Sequence, residues 1–168
     1  MKYKFCPKCG YKLKQKAQNL HICVQCGFNF YQNPLPAAGV ILVNQKKQIL
    51  LIKRAQAPKK NFWQIPGGFM DLNETAEQCA CREAEEELGI KIRNLKYLSS
   101  HPNRYLYQGT NYQMIDIYFI SRINENFRIK PNHELLKYGW FYLRKIDYKK
   151  IAFKSNIKAI KDYLKTLK

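Results

Sequence analysis

Apolar and polar positions alternate with two different periods along this chain. Residues 40–43 (VILV) and 49–53 (ILLIK) are short apolar runs around the polar turn Asn44-Gln45-Lys46-Lys47, and both are expected as strands. Residues 112–123 alternate strictly. Met114, Asp116 and Tyr118 fall on one side and Ile115, Ile117 and Phe119 on the other, the period of two of a β-strand. Residues 91–100 and 138–143 are also strand-like, with residues 99–109 (SSHPNRYLYQG) as the connection to the alternating strand. Two segments carry the helical period instead. Residues 75–88 hold no Gly, Pro or β-branched residue after Thr75. Thr75 and Gln78 have the form of a capping box, and Gly89 suits the position just past a helix end. Residues 155–167 place Ile157, Ile160, Tyr163, Leu164 and Leu167 at helical spacing with lysines outside.

Charge is distributed unevenly over this pattern. The chain of 168 residues has a formal net charge of +18. Seven of its twelve acidic residues nevertheless lie within Asp71–Glu87, where Arg82 is the single base. On a helix, Glu83 and Glu87 stand one turn apart on one face, Glu86 lies about 60–100° round from them, and Glu85 points the opposite way. A glutamate-rich helix ordinarily turns its carboxylates to water, opposite its apolar stripe. Here Glu83, Glu86 and Glu87 share a side with Ala76, Cys79, Ala80 and Ala84, small residues that permit close packing. Crowded carboxylates raise one another's pKa unless cations sit among them. Hard oxygen ligands spaced i, i+3 and i+4 suit Mg²⁺ or Mn²⁺.

The N-terminal 33 residues announce a second metal. Cys6-Pro-Lys-Cys9-Gly and Cys23-Val-Gln-Cys26-Gly are two CxxC knuckles separated by 13 residues. Four thiolates at this spacing form a closed tetrahedral Zn²⁺ site, structural because no coordination position is left for substrate. So short a segment cannot build a sufficient core and is expected to fold around its metal. Cys79 and Cys81 are expected to be small helix residues without a redox role. The two prolines of the connector YQNPLPAAG mark a boundary, giving a zinc ribbon over 1–33 and a larger domain over 34–168. A hydrophobic fraction of 46% argues against disorder. No apolar run approaches 18 residues and the basic N-terminus has no apolar stretch after it, so the expected location is the cytoplasm, away from membranes.

The stretch GFMDLNETAEQCACREAEEELGI, residues 68–90, resembles the Nudix box: Gly, five residues, Glu, seven residues, then REUXEEXGU with U a bulky aliphatic residue. Gly68, Glu74, Arg82, Glu83, Glu86, Glu87, Gly89 and Ile90 fall in place. Ala84 fills the first U position with a smaller residue, and Asn73 stands where Gly is common; Asn tolerates the left-handed conformation better than most residues. Together with the ribbon and the YQNP connector, the resemblance extends to zinc-ribbon Nudix proteins, a group that includes pyrophosphatases acting on NADH, FAD or ADP-ribose.

The resemblance implies an α/β/α sandwich with a mixed sheet, preceded by the small ribbon, and a strand over residues 62–68 leading into the box. It implies hydrolysis of the pyrophosphate bond in a nucleoside diphosphate linked to another moiety, with a nucleotide-containing small molecule as partner. Glu83, Glu86, Glu87 and the Gly68 carbonyl are then the ligands of a catalytic Mg²⁺ or Mn²⁺. Arg82 orients a box carboxylate by bidentate pairing, Glu74 supports the loop and helix, and the general base is one of Glu86, Glu87 or Glu134. Glu134 precedes Trp140 by six residues, at the spacing of an extra acidic residue in many Nudix enzymes. NADH pyrophosphatases carry SQPWPFPxS downstream of the box, and residues 99–104 share only fragments of it, which argues against NADH. Two other classes stay open: an RNA-directed Nudix enzyme such as a cap hydrolase, using the basic surface, and a ligand-binding regulator derived from the fold. The retained glutamates weigh against the regulator, and the spread of the lysines, with no arginine-rich run, weighs against RNA. The connector leaves the ribbon free to pack on the catalytic core or on a second copy in a homodimer.

Overall fold

The computed structural model describes residues 3–123, 129 and 135–167. Three short strands, β1 (Leu13–Gln15), β2 (Leu20–Cys23) and β3 (Asn29–Tyr31), form an antiparallel sheet of their own. Seven further strands form one mixed sheet: β4 (Leu35–Val43), β5 (Gln48–Arg54), β6 (Trp63–Gln64), β7 (Gly67–Phe69), β8 (Lys96–Tyr107), β9 (Thr110–Arg122) and β10 (Leu135–Tyr142). The main order is β10-β5-β4-β9-β8, with β4 and β9 parallel and the other pairings antiparallel. Helix α1 (Ala76–Leu88) covers one face and α2 (Lys154–Lys165) the other. This is the expected sandwich.

The apolar runs owe their lack of alternation to burial on both faces. Along β4, Ala38, Val40 and Leu42 join the core beneath α1, while Ile41 and Val43 join the core beneath α2; along β5, Leu50 and Ile52 go one way and Ile49 and Leu51 the other. Each such Leu or Ile contributes about 1.5–3 kcal/mol by leaving water. The capping box is present: Gln78 N–H donates to Thr75 Oγ1 (3.2 Å) and Thr75 N–H to Gln78 Oε1 (2.8 Å). Gly89 closes α1 at φ 68°, and Asn73 sits at φ 64°, the left-handed conformation its place in the box requires.

Two expectations need correction. Residues 99–107 are not a loop. They continue β8 to Tyr107, and the hairpin turns on Gln108 and Gly109 alone, at φ 47° and 73°, the pair of positive φ values of a two-residue hairpin turn. Pro102 obscured this, but β8 is an edge strand, where a missing N–H is tolerated. Residues 91–95 lie outside any strand, and β8 begins at Lys96.

β4 and β5 pair only at Val43 and Ile49, beside their turn. Beyond that point they part, and the segment through Pro66 fills the gap, β6 pairing with β5 and β7 with β4. The glycine-rich start of the box is thereby held inside the sheet. At Gly67 (φ 147°) a Cβ would collide with the β4 backbone at Ala38 and Gly39, so only glycine fits.

Candidate active site

Helix α1 packs on β4 through Cys79, Ala80 and Ala84, all fully buried. The small side chains bring the helix close enough for its carboxylates to reach the β7 backbone. Glu87, 7% exposed, accepts a hydrogen bond from the Gly67 N–H at its Oε2 (3.0 Å). The Glu83 carboxylate lies over Gly68, where a Cβ would fall on it. Cys79, whose burial pushes its thiol up to about 12, lies with Sγ 3.6 Å from the Gly68 carbonyl and 3.4 Å from that of Phe69. It is a protonated packing residue, as expected.

Arg82 organises the acidic island. Its five N–H groups meet five oxygen acceptors: Nε to Glu74 Oε1 (2.8 Å), Nη2 to Glu74 Oε2 (2.9 Å) and to the Phe69 carbonyl (2.9 Å), Nη1 to Glu83 Oε1 (2.9 Å) and to Glu86 Oε2 (3.1 Å). The bidentate partner is therefore Glu74, and Glu83 and Glu86 each receive a single bond. The Arg82 hydrogen bonds hold the Glu74 carboxyl down to about 2, and Glu74 in turn raises the guanidinium. Glu74 also accepts from the Asp71 N–H (2.9 Å), tying the loop before the helix to the helix itself.

Glu83, Glu87 and Gly68 thus meet at the start of the box, whereas Glu86, its side chain 55% exposed, is tied to them only through Arg82 and stands outside the cleft wall. Glu83 and Glu87 line a cleft of about 510 Å³ together with Gly68, Arg82 and Tyr105. The donor set is oxygen throughout and the glycine leaves Glu83 its room, which fits a hard divalent cation. Glu134 lies outside the described residues.

Four sulfurs stand together in the ribbon. The Sγ atoms of Cys6, Cys9, Cys23 and Cys26 lie within 4.8 Å of one another. Cys6–Cys26 is 3.8 Å, and Cys9–Cys23 and Cys9–Cys26 are 3.5 Å. A tetrahedron with Zn–S bonds of about 2.3 Å has edges of about 3.8 Å, so the set fits zinc. The two knuckles are alike: Gly10 N–H returns to the Cys6 carbonyl (2.9 Å) and Gly27 N–H to that of Cys23 (3.1 Å), both glycines at φ near 70°.

The sequence did not disclose a cavity of about 120 Å³ on the α2 face of the sheet. It adjoins the cleft, sharing Gly67, Gly68, Phe69 and Tyr105 with it. Phe69, Tyr105 and Phe153 form an aromatic rim, with ring centroids 5.5 Å apart for Phe69–Tyr105 and 5.8 Å for Tyr105–Phe153. In its wall Asp116, 8% exposed, accepts at Oδ2 from Ser155 Oγ (2.5 Å), Asn103 Nδ2 (2.9 Å) and Tyr118 OH (3.3 Å). Burial raises the Asp116 carboxyl against these three donors, and burial raises the Tyr118 phenol as well. One signal was present in the sequence: a carboxylate between Met114 and Tyr118 on the inward side of an alternating strand.

The NUDIX domain family model matches residues 33–163. The NAD-capped RNA hydrolase NudC of Haemophilus influenzae (strain PittEE) is 38% identical over 103 residues, 60% of this chain and 39% of that protein. NudC of Citrobacter koseri is 27% identical over 140 residues, 83% of this chain and 51% of its own. The chain thus spans between about two fifths and half of the length of these relatives. Among solved structures, a NUDIX hydrolase from Nitrosomonas europaea superposes with a TM-score of 0.67 at 28% identity, over 97% of this chain and 91% of that one. The NUDIX domain of Shewanella oneidensis NrtR, solved with ADP ribose, has a TM-score of 0.67 at 17% identity over 82% of this chain and 91% of that one, a likeness of fold.

Proposed function

The chain belongs to the Nudix hydrolase family, and on that footing we propose that it cleaves the pyrophosphate bond of a nucleoside diphosphate joined to a second group, of the ADP-ribose or FAD kind, using Mg²⁺ or Mn²⁺. The observation that carries this reading is the meeting of the α1 carboxylates with the Gly67–Phe69 backbone, beside an aromatic-rimmed cavity. Glu83, Glu86, Glu87 and the Gly68 carbonyl are the groups that would hold the metal. A bound divalent ion neutralises the doubly charged pyrophosphate and activates water.

The chain's own residues have separable tasks. Glu87 fixes the Gly67 peptide, and Arg82 aims Glu83 and Glu86 while bracing the loop through Glu74 and Phe69. The proton of the attacking water passes to Glu86, Glu87 or Glu134. The ribbon's zinc, closed by four cysteines, supports folding of residues 1–33 as a unit separate from 34–168.

A second reading is favoured by the curated relatives: an RNA bearing a nucleotide cap, drawn to a chain of net charge +18. The deciding experiment measures kcat/KM with Mg²⁺ or Mn²⁺ for ADP-ribose, FAD, NADH and NAD-capped RNA. The expected result is highest efficiency on ADP-ribose or FAD. A clear preference for the capped RNA overturns the reading in favour of the second, and one for NADH overturns the choice of ADP-ribose or FAD.

A further inference from the structure

The cavity's aspartate has one oxygen fully used and one unused. A directed chain of hydrogen bonds establishes which is which. The Ile65 N–H donates to Asn156 Oδ1 (3.0 Å), fixing that amide so that its Nδ2 donates to Tyr118 OH (2.7 Å). Having accepted there, the phenol turns its own hydrogen to Asp116 Oδ2, the atom that Ser155 and Asn103 also reach. Asp116 is therefore the acceptor at the end of the chain. His101, its cross-strand partner on β8, is held by Asp162 instead (Nε2–Oδ2 2.7 Å).

No described donor reaches Asp116 Oδ1. That atom is not sealed in the interior, where among the described residues only His21 Nδ1 and Ser99 Oγ lack a partner. It opens onto the cavity that Asp116 lines. On a residue only 8% exposed, that acceptor takes its hydrogen bond from whatever occupies the cavity, water or ligand.

We propose that Asp116 is a specificity-determining residue whose Oδ1 accepts a hydrogen bond from the exocyclic amino group of a nucleobase, adenine above all, seated in the cavity against Phe69, Tyr105 and Phe153. The position suits a nucleoside whose diphosphate runs past Gly67 and Gly68 into the carboxylate cleft, so the inference rests on the nucleotide-pyrophosphate reading above. A single free oxygen matches one amino N–H. In the same place guanine and hypoxanthine present a 6-oxo group, an acceptor set against an acceptor.

The test is binding, measured by calorimetry on the full chain with AMP, IMP and purine riboside 5′-monophosphate, which carries no 6-substituent. Turnover plays no part in it, so failure to hydrolyse any substrate would be seen separately in the kcat/KM panel. Wild-type protein is expected to hold AMP roughly 10- to 100-fold more tightly than either analogue. Asp116→Asn gives a distinctive outcome. The three donors demand the amide oxygen at the Oδ2 position, so the new NH₂ must face the cavity and the AMP:IMP ratio should fall at least about tenfold, toward IMP. Equal affinities for AMP and IMP in the wild type, no binding of AMP at millimolar concentration, or an unchanged ratio in a folded variant each overturns the proposal. Should the variant not fold, the wild-type comparison decides alone.

Discussion

Arg82 and Glu74 face each other as a two-bonded pair, Nε to Oε1 at 2.8 Å and Nη2 to Oε2 at 2.9 Å, and this pair joins the loop before α1 to the helix. Its value depends on pH with a definite sign. The Glu74 carboxyl is held at about 2 in the fold against an ordinary 4.5, so its contribution is complete above about 4.5 and disappears as pH falls through about 2. Glu74→Gln should lower Tm at neutral pH by roughly 5 °C, the scale of losing a hydrogen bond to a charged group. Its Tm should also fall less than the wild type's between pH 4.5 and 2. Parallel curves for the two proteins across that window would refute the assignment.

Glu86→Gln and Glu87→Gln keep shape and remove one charge each from the proposed cation site. Turnover should fall by roughly 100-fold or more in each. Wild-type-like kcat for both at saturating Mg²⁺ would remove the helix carboxylates from the reaction.

Gly68→Ala probes the same site from the other side. Gly68 has no positive φ, so the backbone tolerates alanine, but the new methyl occupies the place of the Glu83 carboxylate. The neighbour that must yield is the end of a side chain. The expected outcome is a Tm within a few degrees of wild type with Mn²⁺ affinity, followed by paramagnetic resonance, weakened by about tenfold or more. Unchanged Mn²⁺ affinity would show that Glu83 is not a ligand.

Cys6→Ser should lower the zinc content of the chain and loosen its first 33 residues, leaving hydrolysis in place. A truncation beginning near Asn33 makes the same point more severely. If it is folded by circular dichroism yet inactive on every substrate tested, the ribbon takes part in substrate binding or assembly, and the purely structural role of its zinc is wrong.

What the sequence disclosed about this molecule was local. The capping box at Thr75 and Gln78, the left-handed Asn73, the glutamates at helical spacing and the paired CxxC knuckles are each contained within a few residues, and each is found as expected. The Asp116 network escaped because its members come from positions 65, 103, 116, 118, 155 and 156, joined only when β8, β9, α2 and the segment between β6 and β7 pack together. The length of β8 escaped for a related reason. Pro102 ends a central strand but not an edge strand, and edge position is a property of the assembled sheet. A bidentate partner for Arg82 among the box carboxylates was expected, but that it is Glu74, eight residues away, needed the turn at Asn73 to be seen. No helix among the described residues is long and apolar enough to cross a membrane.

The parting of β4 from β5 carries a consequence for how this chain tolerates change. The segment around Pro66 fills a gap between two interior strands, with β4 and β5 supplying its hydrogen bonds on either side. Residues added there would force apart a sheet, whereas residues added at the 108–109 hairpin tip or in the 55–61 loop would extend into water. The glycine-rich start of the box is thus closed to lengthening, while the loop that borders the carboxylate cleft at Ala55, Gln56 and Ala57 stays open to it. Length can therefore change at the edge of the cleft while the glycines beneath it stay where they are.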